Sequence, residues 1–149
     1  MKAVIQRTKQ TTLSVDGKEI SRIEKGLVVY LGVEVGDKEE SADYLAKKIS
    51  AMRIFEDEHG KMNLSLDLVG GEILAVSQFT LLADTSHGNR PSFTGAEKPQ
   101  RANELYEYFC EKLQGFGAVV KRGVFGADMQ ISQHNDGPVT IIMEHRTQE

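Results

Sequence analysis

The sequence predicts an α/β fold in which a mixed β-sheet curls into a barrel-like structure and two helices cover it. Its 149 residues fit one domain and are enough to bury a sizeable core. Most apolar residues fall in runs of strand length, whereas two longer segments repeat them at helical spacing. Because neither a repeat nor a linker divides the chain, we treat residues 1–149 as a single compact domain.

The composition narrows the classes of function. The formal net charge of −4 argues against binding long nucleic acid through a broad basic face, although it allows binding of one short end of a nucleic acid. Cys110 is the only cysteine, so no internal disulfide can form and we expect a reducing, cytoplasmic location. No stretch approaches the ~20 continuous apolar residues that cross a bilayer, so we expect no membrane partner.

The chain is predicted to begin with strands. We expect them at residues 3–8, 11–15 and 19–23, and Asp16-Gly17 joins the last two as a hairpin because such a turn needs positive φ. Residues 26–35, GLVVYLGVEV, are almost wholly apolar, which is typical of a strand buried on both faces.

A helix and a short hairpin are predicted next. Either Asp37 or Ser41 could cap the helix, because both side chains can accept a hydrogen bond from a first-turn amide. Residues 53–66 then read as a short strand, a turn at Gly60 and an extended return. The apolar residues at helical spacing, expected to face inward, are Ala42, Leu45, Ile49 and Met52.

The second half contains a long loop between regular elements. Residues 70–82 read as a central strand, and residues 83–99 form a loop whose length is unusual in a compact domain, so it is functional or mobile. A second helix spans residues 101–114, and strands follow near residues 118–122, 129–133 and 139–145. The second helix should turn Ala102, Leu105, Phe109 and Leu113 inward.

The first candidate functional segment is Ser77-Gln78-Phe79-Thr80, where polar side chains interrupt an apolar strand. It is either a strand leaving the core or a cluster of donors and acceptors at a strand end beside the long loop. A hydroxyl nucleophile needs an adjacent base. Since the segment has no His, Asp or Glu, such a base would come from elsewhere, and no Ser-His-Asp triad is visible.

The second candidate is the loop itself. Arg90 offers a planar fork suited to phosphate or carboxylate, and Phe93 could stack on a nucleic-acid base. The alternative is an ordinary surface loop. We expect no metal, because the histidines show no zinc-like spacing and have no companion cysteines. These histidines are His59, His87, His134 and His145.

The third candidate is Asn135-Asp136-Gly137-Pro138, directly before the last predicted strand. These are the commonest turn residues, so a simple turn would explain them. Proline gives a sheet no donor and glycine weakens a strand interior. Gly137-Pro138 therefore either ends a loop or holds backbone groups towards a ligand.

Taken together, the motifs resemble one family. SQFTL at residues 77–81 and NDGPVT at residues 135–140 are similar to the two signature motifs of the D-aminoacyl-tRNA deacylases. Four further stretches fall in that family's order and spacing, so the resemblance covers essentially the whole chain. They are VIQR at 4–7, GKMNL at 60–64, RPSF at 90–93 and GADMQ at 126–130. The sequence departs from the family at Gln133-His134, where two apolar residues are expected.

The resemblance implies a homodimer of barrel-like subunits that hydrolyses the ester joining a D-amino acid to the 3′-terminal adenosine of tRNA, without metal or organic cofactor. It implies that Gly137-Pro138 has a cis peptide bond, enters the opposite subunit's active site and turns its carbonyls towards the substrate's α-ammonium group. Arg7 resembles the arginine that braces this segment. Ser77, Gln78, Phe79 and Thr80 would line the pocket at the scissile ester, and Met129 its wall.

Two points stay open at the level of the sequence. Either Thr80 attacks the ester as a nucleophile, or water attacks it with help from the substrate's ribose hydroxyl and Thr80 takes no covalent part. The competing functions are a nucleic-acid-end binding module without turnover and a small-molecule esterase that uses Ser77 or Thr80. Neither rival requires the Gly137-Pro138 signature.

Overall fold

The computed structural model describes residues 1–147, which form a nearly closed mixed sheet with two helices against one face. The strands are β1 (Lys2–Val15), β2 (Lys18–Ile23), β3 (Gly26–Gly32), β4 (Phe55–Glu56), β5 (Met62–Leu64), β6 (Glu72–Ser77), β7 (Val120–Arg122) and β8 (Gln130–Glu144). The helices are α1 (Glu39–Ala51) and α2 (Pro99–Gly115), with short 3₁₀ turns at Asp67–Val69 and Phe79–Leu82.

The main sheet has the order β2-β1-β3-β6-β7, and β8 pairs with β1. The pairs β3–β6 and β6–β7 are parallel, whereas β1 pairs antiparallel with β2, β3 and β8. The Ser21 hydroxyl of β2 donates to the Arg122 carbonyl of β7, which draws the two ends of the sheet together. The predicted mixed, barrel-like α/β architecture is therefore confirmed.

The prediction of separate strands at residues 3–8 and 11–15 was wrong, because both belong to the 14-residue strand β1. The first half of β1 pairs with β3 and the second half with β2, while β8 follows both halves. The predicted hairpin is confirmed, since Asp16 and Gly17 have φ values of 50° and 77°. The turn at Gly60 between β4 and β5 is confirmed as well, with φ 72°.

Neither predicted cap closes helix α1. Lys38 occupies the cap position, without a side-chain hydrogen bond. The Asp37 carboxylate instead accepts hydrogen bonds from the Met1 amino group and the Glu34 N–H, at 3.0 and 2.7 Å. The Ser41 hydroxyl is 3.0 Å from Nδ1 of His145. Met1 and His145, both distant in the sequence, thus bind the two side chains that were expected to cap the helix.

The core lies between the sheet and the two helices, and a smaller apolar cluster fills the curl of the sheet. The inward stripes are confirmed for both helices, except that Met52 lies just beyond α1 and is half-buried. Cys110 is fully buried, and this burial raises the pKa of its thiol to about 11. In residues 1–147, no helix is long and apolar enough to span a membrane.

Two later elements differ from the prediction. Strand β6 ends at Ser77, where its parallel pairing with β3 stops, and residues 79–82 form a 3₁₀ turn. Residues 130–144 form one strand, so the predicted break between residues 133 and 139 was wrong. The Asn135-Pro138 segment instead lies inside β8, where residues 136–139 form a bulge.

Candidate active site

The carboxyl end of β6 opens into a cavity of about 660 Å³. Ligands commonly bind at this end of parallel strands, because the chain leaves the sheet there and frees its polar groups. The loop at residues 93–99 and the segment at residues 125–129 form the other walls. The cavity brings together Ser77, Gln78, Phe79, Thr80, Phe93 and Met129, all of which the sequence pointed to.

The polar groups at the strand end are arranged around Thr80. Gln78 Nε2 donates to the Thr80 hydroxyl at 3.0 Å, and Gln78 is the side-chain partner of this hydroxyl within residues 1–147. The Leu81 N–H donates to the Gln78 carbonyl, so the N–H groups of Phe79 and Thr80 head the 3₁₀ turn. Amides at that position lack an intrahelical acceptor and can serve a ligand.

Two carboxylates that the sequence analysis missed also line the cavity. Glu97 accepts hydrogen bonds from the backbone N–H groups of Gly36 and Lys98, at 3.3 and 2.8 Å, so it holds the loop in place. Asp128 is exposed at the rim. No spacing signal could have found them, because the fold brings them from distant segments to the end of β6.

The long loop contributes an aromatic side chain to the mouth of the cavity. Phe93 packs edge-on against Phe79, with ring centroids 5.2 Å apart and an interplanar angle of 72°. Phe79 remains 56% exposed, so an aromatic surface is open to a planar ligand. Backbone pairing of Asp84 with Ser92 ties the loop to itself. Arg90 is exposed on this loop and does not line the cavity.

The Gly137-Pro138 peptide bond is cis, and both residues are exposed. They lie in the bulge of β8. The partners of β8 on β1 pass from Gln6 opposite Thr140 to Thr8 opposite Asn135, so residues 136–139 face the single residue Arg7. A bulge of this kind projects backbone out of the sheet.

Arg7 occupies the space behind this bulge. It is only 6% exposed, its Nε donates to the Asp136 carbonyl at 2.9 Å, and its Nη1 donates to the Ile54 carbonyl at 2.8 Å. The Asp136 carboxylate lies 3.4 Å from the same Nε. A buried guanidinium with several acceptors is a rigid support, because its planar fork fixes the partners' geometry.

The predicted site residues therefore fall into two groups in one chain. Gly137 and Pro138 are not among the residues that line the 660 Å³ cavity. Arg7 does not line it either, and its side chain contacts the bulge that contains Gly137 and Pro138. In the part of the chain that the structure describes, no group of three or more His, Cys, Asp or Glu side chains is placed to hold a metal ion.

Comparisons with known proteins agree along the whole chain. The family model described as D-Tyr-tRNA(Tyr) deacylase matches residues 4–144. A D-aminoacyl-tRNA deacylase of Geotalea daltonii is 56% identical, covering 97% of this chain and 96% of the relative. One of Lacticaseibacillus casei is 51% identical, covering 97% of both. A solved structure named c-Myc DNA Unwinding Element Binding Protein superimposes with a TM-score of 0.92 at 40% identity, covering 99% of this chain and 100% of its own.

Proposed function

The chain belongs to the D-Tyr-tRNA(Tyr) deacylase family and is accordingly a hydrolase, a D-aminoacyl-tRNA deacylase. From this premise we propose that it cleaves the ester joining a D-amino acid, and also glycine, to the 3′-terminal adenosine of tRNA. It acts in the cytoplasm as a homodimer, and each subunit's Gly137-Pro138 segment forms a main-chain wall over the other subunit's cavity.

The cavity at residues 77–80 carries this proposal. It has an aromatic surface for the adenine, the first backbone N–H groups of a 3₁₀ turn and the polar side chains of Ser77, Gln78 and Thr80. The wall is assigned to the second subunit because Gly137 and Pro138 lie outside the cavity of their own chain. Strand β8 also pairs only with β1 among residues 1–147, and Ile142 on it is 71% exposed, so this edge is open to a partner.

Energetics favour a backbone wall for this task. Rejecting L-aminoacyl-tRNA by ~10⁴ requires about 5.5 kcal/mol. A soft apolar pocket discriminates one methylene by only ~1–3 kcal/mol, because its side chains can move aside. The bulge at residues 136–139 is main chain held by the buried Arg7, so it cannot yield in that way.

Selection of the D form follows from holding the substrate at two of its groups, the α-ammonium group and the ester. The carbonyls of Gly137 and Pro138 accept hydrogen bonds from the α-ammonium group, which are stronger than neutral ones. Glycine lets this backbone come close because it has no Cβ. With the ammonium and the ester both held, a D side chain points to open space and an L side chain meets the wall.

A matched pair of substrates tests the proposal. D-tyrosyl-tRNA and L-tyrosyl-tRNA, charged on the same tRNA, are incubated with the protein, and the released tyrosine is followed. We expect rapid release of D-tyrosine and a rate at least ~10³ lower for the L form. Equal rates for both would indicate an esterase without stereochemical selection, and release of neither would indicate a binding module.

Glycyl-tRNA is expected to be cleaved as well. Glycine has no side chain to meet the wall, so a mechanism that excludes only L side chains cannot reject it. In the same release assay, glycine should leave its tRNA at a rate within about tenfold of D-alanine. Glycyl-tRNA that is as resistant as L-alanyl-tRNA would contradict a wall-only mechanism.

For the chemical step, we favour water activated by the substrate's own ribose hydroxyl over attack by Thr80. The Thr80 hydroxyl accepts a hydrogen bond from the Gln78 amide, which is no base and cannot take a proton. The N–H groups of Phe79 and Thr80 would stabilise the developing oxyanion, a contribution of ~3–4 kcal/mol for a donor of this kind.

Thr80→Ala distinguishes the two mechanisms. It removes the hydroxyl and keeps the backbone N–H, so we expect D-tyrosyl-tRNA hydrolysis within about tenfold of the parent rate in single-turnover measurements. A loss of several orders of magnitude, with unfolding temperature unchanged, would instead identify Thr80 as the nucleophile. Ser65→Ala, in an exposed pair with Asp67, is a matched control for the loss of one hydroxyl.

A nucleic-acid-end binder is the second candidate function. One structural relative at 40% identity is named as a DNA unwinding element binding protein. The net charge of −4 makes a long duplex a poor ligand for this chain. The substrate pair above separates this candidate from the deacylase, because a binder would not release the amino acid.

A further inference from the structure

Strand β8 is tied to two other strands by a chain of side-chain hydrogen bonds. The Tyr30 hydroxyl donates to Gln133 Oε1 at 2.7 Å, and Gln133 Nε2 donates to Gln6 Oε1 at 2.7 Å. The same Nε2 also donates to Asn135 Oδ1. Gln6 Nε2 in turn donates to the Thr140 hydroxyl at 3.3 Å. Every link runs in one direction, so the bonds can polarise and strengthen one another.

This chain of bonds reaches both flanks of the bulge that contains Gly137 and Pro138. Asn135 lies two residues before Gly137, and Thr140 lies two residues after Pro138, so both flanks of the bulge are held. Gln6 is the neighbour of Arg7 on β1, and successive side chains of a strand point to opposite faces. Arg7 thus holds the bulge from the core side, and Gln6 and Gln133 hold its flanks from the other side.

The Tyr30 end of this chain of bonds lies close to the 660 Å³ cavity of its own chain. Tyr30 pairs with Val76 of β6, directly before Ser77. It lines a second cavity of about 490 Å³, which shares Ser77, Gln78 and Met129 with the first. A tyrosine hydroxyl is protonated at neutral pH, and burial raises the pKa of Tyr30 further, so this group stays a donor.

Gln133 makes three of these four bonds, and it belongs to the Gln133-His134 pair, where two apolar residues are expected in the family. An apolar side chain there would leave the Tyr30 hydroxyl, the Gln6 amide and Asn135 without these partners. Removing the partner of a half-buried polar group costs stability, because the group left behind loses its hydrogen bond and is only partly hydrated by water in its place.

We propose that Gln133 is a positioning residue for stereochemical selection: through Tyr30 and Gln6 it fixes both flanks of the Gly137-Pro138 wall on its own subunit, and so the position at which the wall meets the other subunit's cavity. This inference rests on the proposed function. Gln133 itself does not touch the substrate. It acts by narrowing the positions that the wall can adopt, so its loss lets the wall admit L side chains and hold D substrates less well.

Gln133→Leu and Tyr30→Phe test the proposal. For each variant and for the double variant, kcat/KM is measured with D-tyrosyl-tRNA and L-tyrosyl-tRNA. We expect the D-to-L ratio to fall about tenfold in each single variant, which corresponds to the loss of an ordinary side-chain hydrogen bond. The double variant should fall no further than Gln133→Leu alone, because all the bonds form one unit.

The control is Gln10→Leu, which removes an exposed side-chain hydrogen bond to Glu24 from the same strand β1 and should keep the parental ratio. Ratios within twofold of the parent in both single variants, or independent losses that multiply in the double variant, would overturn the inference. If Gln133→Leu does not fold, the D-to-L ratio of Tyr30→Phe alone decides the test. A parent protein that fails to distinguish D from L substrate would overturn the proposed function itself, and the inference with it.

Discussion

Replacing Gly137 with alanine is expected to slow D-tyrosyl-tRNA hydrolysis by about 100-fold while the protein stays folded. A Cβ added at Gly137 would lie 2.1 Å from the backbone nitrogen of Val139 and 3.4 Å from its Cα. Backbone atoms cannot rotate aside, so the bulge itself must shift. A displacement of about 1 Å in a positioning group costs on the order of 100-fold in rate.

The fold should survive this change, because Gly137 is exposed on strand β8 and contributes nothing to either apolar cluster. Circular dichroism and the unfolding temperature check this. Gly115→Ala is the matched control, since nothing lies within 4 Å of a Cβ there and φ is not in the left-handed region. Activity within threefold of the parent for Gly137→Ala, with stereoselectivity intact, would show that the wall is not at this backbone.

The fold could be predicted where sequence-local physics decides the structure. The Asp16-Gly17 turn needs positive φ, and the stripe Ala42, Leu45, Ile49 needs a core on one side. Strand continuity could not be predicted in the same way. Strand β8 remains one strand across Gly137-Pro138 because pairing with β1 resumes at Thr140, a register that only the assembled sheet defines.

The residues of the candidate site were likewise predictable where the local sequence marks them, and not where their role depends on a distant segment. Residues 77–80 could be located from the point where polar side chains interrupt an apolar strand, and Phe93 from its place in the long loop. Glu97 was missed because its role depends on the backbone of a segment far away, at Gly36. The capping prediction for Asp37 failed for the same reason, since its partner is the Met1 amino group.

Two strongly impaired variants are expected to regain activity when they form mixed dimers. Gly137→Ala should displace the proposed wall and leave the cavity intact, whereas Ala127→Trp should fill the cavity and leave the proposed wall intact. If each site joins one subunit's cavity to the other subunit's wall, a mixed dimer regains one complete site. Random pairing makes half of the dimers mixed, so the mixture should show about one quarter of parental activity.

Whether the second subunit supplies the wall is decided by measuring D-tyrosyl-tRNA hydrolysis by this mixture after co-refolding from denaturant. Each variant refolded alone gives the baseline. We expect recovery to about a quarter of the parental rate, with L-tyrosyl-tRNA still rejected. A mixture no more active than the two variants measured separately, although mixed dimers form, would contradict a wall supplied by the second subunit.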